Sequence, residues 1–225
     1  MQTHVQDHDK AYLVLIFRRA RSNFQKIIRT LTGNEVHVDV GVFLPKRTPP
    51  EGNFLLYSAY INRTLQKTDA HCNYYESGED TAYVLETNTV SAMRVDAFLN
   101  NLHTKQCKYN YADLIFCVMP HSIIDVIPDV DTLHIQKVFC SQLAILSIRV
   151  MTQNDPSAAN LAQTAANLNS RTVSPAALRV HLAPFLRKVD LLKYLTGAIV
   201  FADSSSDLTT DSSVAERFRT DVHNT

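Results

Sequence analysis

Val36-His37-Val38-Asp39-Val40-Gly41-Val42-Phe43-Leu44 places an apolar residue at every second position, which is the period of a half-buried strand. His37 and Asp39 fall together on the other side of that alternation. Immediately before it, Phe24, Ile27, Ile28 and Leu31 recur at helical spacing, and Gly33 stands where a left-handed C-terminal cap belongs. This predicts a helix with a buried apolar face. Residues 11–17 (AYLVLIF) form a short, β-rich apolar run and are read as the first buried strand. On the other side, Pro49-Pro50-Glu51-Gly52 is a turn, and residues 54–61 resume extended character. A hairpin follows from that arrangement.

Further along, residues 81–86 (TAYVLE) read as a strand, followed by a helix with Val95, Phe98, Leu99 and Leu102 on one face. Pro120 and Pro128 bracket a loop. Residues 138–151 (VFCSQLAILSIRVM) are apolar enough for a buried helix, although their β-branched residues lower its intrinsic propensity. Ser174-Pro175 has the form of an N-cap followed by proline at the first helical position, with Leu178 and Leu182 on the buried side. Residues 191–202 read as a final strand. The expected class is α+β, a small antiparallel sheet packed on the helix that Cys140 opens, with additional helices around it. One domain is expected over residues 11–202, between a flexible polar segment at 1–10 and a Ser, Thr and Asp-rich tail at 203–225.

The bulk properties narrow the function classes. The chain has 225 residues, 45% of them apolar, enough for one substantial core. Equal numbers of basic and acidic residues give a net charge of zero, so no global field draws nucleic acid or an anionic surface. No apolar stretch reaches the roughly 20 residues of a spanning helix, and the first ten residues are too polar for a signal peptide. No CxxC pair occurs among Cys72, Cys107, Cys117 and Cys140, which speaks against a zinc knuckle or a disulfide scaffold. A cytoplasmic protein is expected, with neither metal nor cofactor.

Cys140 has the most suggestive setting of the four cysteines. It opens an apolar helix, where unpaired backbone N–H groups and the helix dipole stabilise a thiolate and can also hold an oxyanion. The other three are read as packing residues. A nucleophile needs a base, and His37, between valines in a strand, has a fixed direction. From the local pattern alone, a histidine bonded to backbone in the core or at a sheet edge is an equal alternative. His121 and His134 are read as exposed loop residues. Arg18, Arg19, Arg21, Lys26 and Arg29 are assigned to the solvated face of the first helix.

The ordered set His37-Val38-Asp39-Val40, Tyr57-Ser58-Ala59 and Phe139-Cys140-Ser141-Gln142-Leu143 resembles the circularly permuted papain-like hydrolases of the NlpC type. The likeness extends to Tyr109-Asn110-Tyr111-Ala112 and Val173-Ser174-Pro175, so that it covers residues 11–182. It implies a permuted papain-like fold and a cysteine peptidase or amidase with Cys140 as nucleophile, His37 as base and Ser58 as third polar residue. The implied substrate is a peptide or protein, or an acyl lipid or thioester on the same fold. Ser58 departs from the strong acceptor usual at that place, since a hydroxyl cannot stabilise an imidazolium as a carboxylate does. Asp39 is the competitor for the role, against the reading of a solvent-facing strand aspartate. Adenovirus-protease-like and ubiquitin-like-protein proteases share the order of histidine and cysteine, with Gln136 as their candidate glutamine, but Ser141 stands where they have glycine. A binding module that kept the fold while its triad decayed is the remaining alternative.

Overall fold

The structure, a computed structural model, describes residues 10–44, 54–60, 63–68, 79–117, 129 and 135–190. Four of its β-strands are built on the apolar segments named above: β1 (Lys10–Arg19), β2 (Glu35–Phe43), β3 (Phe54–Ser58) and β5 (Thr81–Asn88). Ahead of the last comes β4 (Gln66–Thr68), a short polar strand that no apolar run marks. With β8 (Arg187–Val189) they form a six-stranded sheet in the order β4-β3-β2-β1-β5-β8, every neighbouring pair antiparallel. The class is mixed α and β, as the alternation of strand and helix periods requires. The β2–β3 hairpin is present, with Val40 opposite Tyr57.

β1 lies in the middle of the sheet and is buried on both faces, which is why its sequence runs apolar without alternation. Leu13, Leu15 and Phe17 join Val38, Val40 and Val42 in the main core with the helices. Val14 and Ile16 point the other way, into a second apolar cluster with Phe43, Leu56, Ala82, Val84 and Val189. The cross-strand register aligns Leu15 with Val40, Phe17 with Val38 and Arg18 with His37, and then shifts between Arg18 and Arg19.

Six α-helices surround this sheet among the described residues: α1 (Asn23–Thr32), α2 (Thr89–Thr104), α3 (Tyr111–Phe116), α4 (Cys140–Thr152), α5 (Ala159–Asn167) and α6 (Pro175–Leu182). α2 and α4 pack on each other and on the sheet, burying Val95, Leu99 and Leu102 from one and Leu143, Ala144, Ile145, Leu146 and Ile148 from the other. Tertiary burial overrides the weak propensity of β-branched residues in α4. Ser174 caps α6 by accepting from the Ala177 N–H, and Pro175 takes the first helical position, where its missing N–H costs nothing. A short parallel pair, β6 (Lys108–Tyr109) with β7 (Lys137–Val138), sets the chain just ahead of Cys140.

Two expectations are corrected in this region. α1 forms over the predicted residues, with Ser22 and Gln25 making reciprocal capping bonds, but two residues of its apolar stripe are not buried: Ile27 is 62% and Leu31 61% exposed. The helix contacts β2 and α6. Gly33 ends it at φ +104° with ψ near extended, a region outside the left-handed helical well and open essentially to glycine alone. A Cβ there would also stand 2.7 Å from that of Ala176. The basic cluster does not form one solvated face either, because Arg18 and Arg19 close β1 and Arg21 precedes the helix, with the Arg18 side chain only 11% exposed. The turn at Pro49-Pro50-Glu51-Gly52, the loop bracketed by Pro120 and Pro128, His121, His134, Cys72, the segments 1–9 and 191–202 and the tail lie outside the described residues.

Candidate active site

Cys140 is the first residue of α4, with Phe139 as its extended N-cap. Each neighbour in Phe139-Cys140-Ser141-Gln142-Leu143 has a physical task. Phe139 and Leu143 are completely buried in the core. The Ser141 hydroxyl donates to the Val173 carbonyl at 2.6 Å, tying the helix start to the segment before α6. Gln142 accepts from the Phe139 N–H at 3.3 Å and donates through Nε2 to Asp113 Oδ2, also at 3.3 Å. Asp113 in turn accepts from Asn110 Nδ2 at 2.6 Å and from Arg171 Nε at 2.9 Å. The start of α4 is therefore held from two other parts of the chain, residues 110–113 and 171–173, and Cys140 has a fixed place.

The imidazole of His37 sits on β2, 7% exposed, with the completely buried Asp39 two residues further along the same strand face. Asp39 Oδ1 lies 2.7 Å from His37 Nε2 and also accepts from the Ser58 hydroxyl. The Asp39 carboxyl is held below its usual range. Burial alone would raise it, but the charge and hydrogen bond of His37, the charge of Arg18 and the bond from Ser58 outweigh that effect. An ionised carboxylate only accepts, so Nε2 carries a proton and Nδ1 is the ring nitrogen left for another partner.

The Cys140 side chain also acts on the ring, by its charge and by a hydrogen bond. Burial would lower the His37 pKa, but the Asp39 charge, then the Cys140 charge, and hydrogen bonds to both side chains reverse this and raise it to about 10. The balance of these influences favours the imidazolium, with a carboxylate and a sulfur as its neighbours. Tyr60 covers its face, the two rings stacked with centroids 4.9 Å apart and planes 9° from parallel. Arg18 stands behind, 3.7 Å from Asp39 Oδ2, and donates to the Tyr60 hydroxyl.

The structure therefore brings Cys140, His37, Asp39 and Ser58 into one cluster, with one change of part. Asp39, not Ser58, touches the imidazole, and Ser58 supports it from the paired strand. The reason is register: Asp39 and His37 share a face of the same strand, while Ser58, on the paired strand, donates to the carboxylate. Arg18 and Tyr60 were not read as site residues from sequence. The available signal was Asp39 itself, because a carboxylate inside an apolar strand demands a cation, and Arg18 at the end of the apolar run of β1 was the nearest in pattern.

Two of the other thiols are described. Burial pushes Cys107 up to about 11. Burial, then the Cys140 and Asp113 charges, push Cys117 up as well, and its Sγ donates to the Asp113 and Val173 carbonyls at 3.3 and 3.5 Å. Gln136 is exposed and meets the Lys108 N–H through its backbone carbonyl. A cleft of about 540 Å³, lined by Lys10, Glu86, Asn88, Asp155, Leu161 and Phe185 among others, shares no residue with the cluster, so chemistry and not size locates the site. Among the described residues no group of three or more His, Cys, Asp or Glu could hold a metal ion, and no helix is long and apolar enough to cross a membrane. No protein-family model, curated protein or solved structure matches the chain.

Proposed function

We propose that the chain is a cysteine hydrolase with a permuted papain-like fold, acting as a peptidase or amidase through Cys140, His37 and Asp39. The observation that carries this reading is the position of His37, whose imidazole meets a buried carboxylate through Nε2 and interacts with the cysteine at a helix start. Asp39 supplies the carboxylate that Ser58 could not, which removes the main support for a decayed, purely binding descendant.

In this mechanism the Cys140 thiol gives its proton to His37 Nδ1 and the sulfur attacks an amide carbonyl carbon, forming a carbon–sulfur bond while the carbonyl oxygen becomes an oxyanion. The Cys140 backbone N–H, one of the donors that the first turn of α4 leaves without an intrahelical acceptor, faces that charge. His37 gives its Nδ1 proton to the leaving amine as the carbon–nitrogen bond breaks, leaving an acyl-enzyme. Water then attacks the thioester, His37 takes the water's proton, and the acid and the free sulfur are released. Asp39 keeps Nε2 in place throughout, with Ser58 bonded behind it. Cys140 is only 2% exposed, so a substrate reaches the sulfur by displacing side chains around it. A thioester or acyl lipid would use the same residues.

Acyl transfer tests the reading directly. After incubation with p-nitrophenyl acetate, peptide mapping should find the acetyl group on Cys140 in the unmodified chain, little in His37→Ala and none at that position in Cys140→Ala. Acetyl groups spread over other residues, with Cys140 untouched, would overturn it.

A further inference from the structure

The Arg18 guanidinium reaches both the carboxylate and the tyrosine that flank His37. It lies directly opposite His37 in the β1–β2 register, at the point where the register shifts, and its side chain is 11% exposed. Nη1 stands 3.7 Å from Asp39 Oδ2, the oxygen that His37 does not use. The same nitrogen donates to the Tyr60 hydroxyl, and the Tyr60 ring lies flat on the imidazole. On its other side, Arg18 Nε is 3.9 Å from Asp80 Oδ2, and Asp80 is also paired with Arg21. Charges therefore alternate along a buried row: Arg21, Asp80, Arg18, Asp39, His37 and then the sulfur of Cys140.

A row of this kind has consequences for its last members. Asp39 divides its two oxygens between imidazolium and guanidinium, so each cation limits the hold of the carboxylate on the other. The planar fork of arginine suits such sharing, where a lysine would offer one point charge.

We propose that Arg18 is a positioning residue for His37, fixing the carboxylate at the ring's edge and the tyrosine on its face with one guanidinium, and limiting how far the Asp39 charge favours the imidazolium over the neutral ring. The proposal rests on the hydrolase reading, in which the imidazolium must release its Nδ1 proton to the leaving group. His37 is faced by Asp39 from its own strand, by Tyr60 just beyond β3 and by Cys140 from α4, while Ser58 and Arg18 act on it through Asp39. Arg18 is faced by Asp39 and Tyr60 on one side and by Asp80 on the other.

The test is the titration of the His37 ring signals by NMR in the full chain. In Arg18→Gln, loss of the competing cation should move the midpoint up by about one unit, a roughly tenfold tighter hold on the proton. Arg18→Lys, which keeps the charge, should move it by less than half as much. Asp80→Asn should shift it the opposite way, because Arg18 then bears more fully on Asp39, and this variant decides the matter if Arg18→Gln does not fold. An arginine with a merely structural role would lower the melting temperature and leave the midpoints in place. Unmoved midpoints, or a fall in Arg18→Gln and a rise in Asp80→Asn, would overturn the proposal. Iodoacetamide labelling of the unmodified chain reports separately on the hydrolase reading: if Cys140 is not the preferred thiol, that reading fails whatever Arg18 does to His37.

Discussion

Asp39 and Asp113 flank the start of α4 from two sides, both completely buried, yet their carboxyl groups are driven in opposite directions. Burial raises both. Around Asp113, one guanidinium and the amides of Gln142 and Asn110 do not offset that burial, and its pKa stays above the usual carboxylate range. Around Asp39, the imidazole of His37, with Arg18 and Ser58, more than offsets it. Equal burial thus yields a brace in one place and an orienting anion in the other, according to the charge of the neighbours. Asp113 holds the helix that carries the nucleophile, and Asp39 holds the base.

Breaking each side should have a different signature. The largest effect belongs to the reacting pair: Cys140→Ala and His37→Ala should each lower acyl turnover by roughly 10⁴-fold, and the double variant by no more than that, since the two act as a unit. Additive losses would mean that the residues work independently. Next comes Asp39→Asn, which keeps the shape but reverses the hydrogen bonding toward Nε2, with a loss of roughly 10³-fold. Its His37 midpoint should also fall below the wild-type value of about 10, and further than in Cys140→Ala, because the Asp39 charge is the larger raising influence. Equal midpoints in Asp39→Asn and wild type would remove Asp39 from the account.

Asp113→Ala should instead appear as lost stability, roughly 3 kcal/mol by urea unfolding, because it leaves Arg171 and Gln142 without their buried acceptor. The His37 midpoint should hardly move. Ser58→Ala should be the mildest, about a tenfold loss of turnover from one hydrogen bond to a charged group. A Ser58→Ala loss as large as that of Asp39→Asn would restore the serine to the third position.

The same comparison carries a pH dependence. Folding raises His37 from 6.5 to about 10, so within that window the folded state holds a proton that the unfolded chain has lost. The contribution is fully present below about pH 6.5 and drains away as the pH rises, being gone above about 10. Melting temperatures of the unmodified chain should therefore fall more steeply over this range than those of His37→Gln. Parallel curves would show that the imidazole is not held as a cation.

What was legible in the sequence follows from what each pattern encodes. The buried strand at residues 11–17, the alternation in β2, the proline at the start of α6 and the cysteine opening α4 are local signals, and each element stands where its pattern placed it. The stripe of α1 misled because helical periodicity reports that a face is apolar, not that anything covers it. Asp39 was visible as a same-face neighbour of His37, but its burial depends on strands far apart in the chain. Helical spacing assigns Arg18 to a helix face, because its closeness to Asp39 arises only through the pairing of β1 with β2. Local chemistry is written in runs of residues, whereas charge pairing is decided by the fold.

The central claim is that Cys140 is made a nucleophile by His37. It is tested most directly by brief exposure of the intact chain to limiting iodoacetamide at neutral pH, followed by mapping of the modified thiols. The account predicts that Cys140 reacts first, ahead of Cys72 and well ahead of Cys107 and Cys117, and that the preference disappears in His37→Ala. Labelling of Cys107 or Cys117 as fast as Cys140, or a Cys140 rate unchanged in His37→Ala, would contradict it.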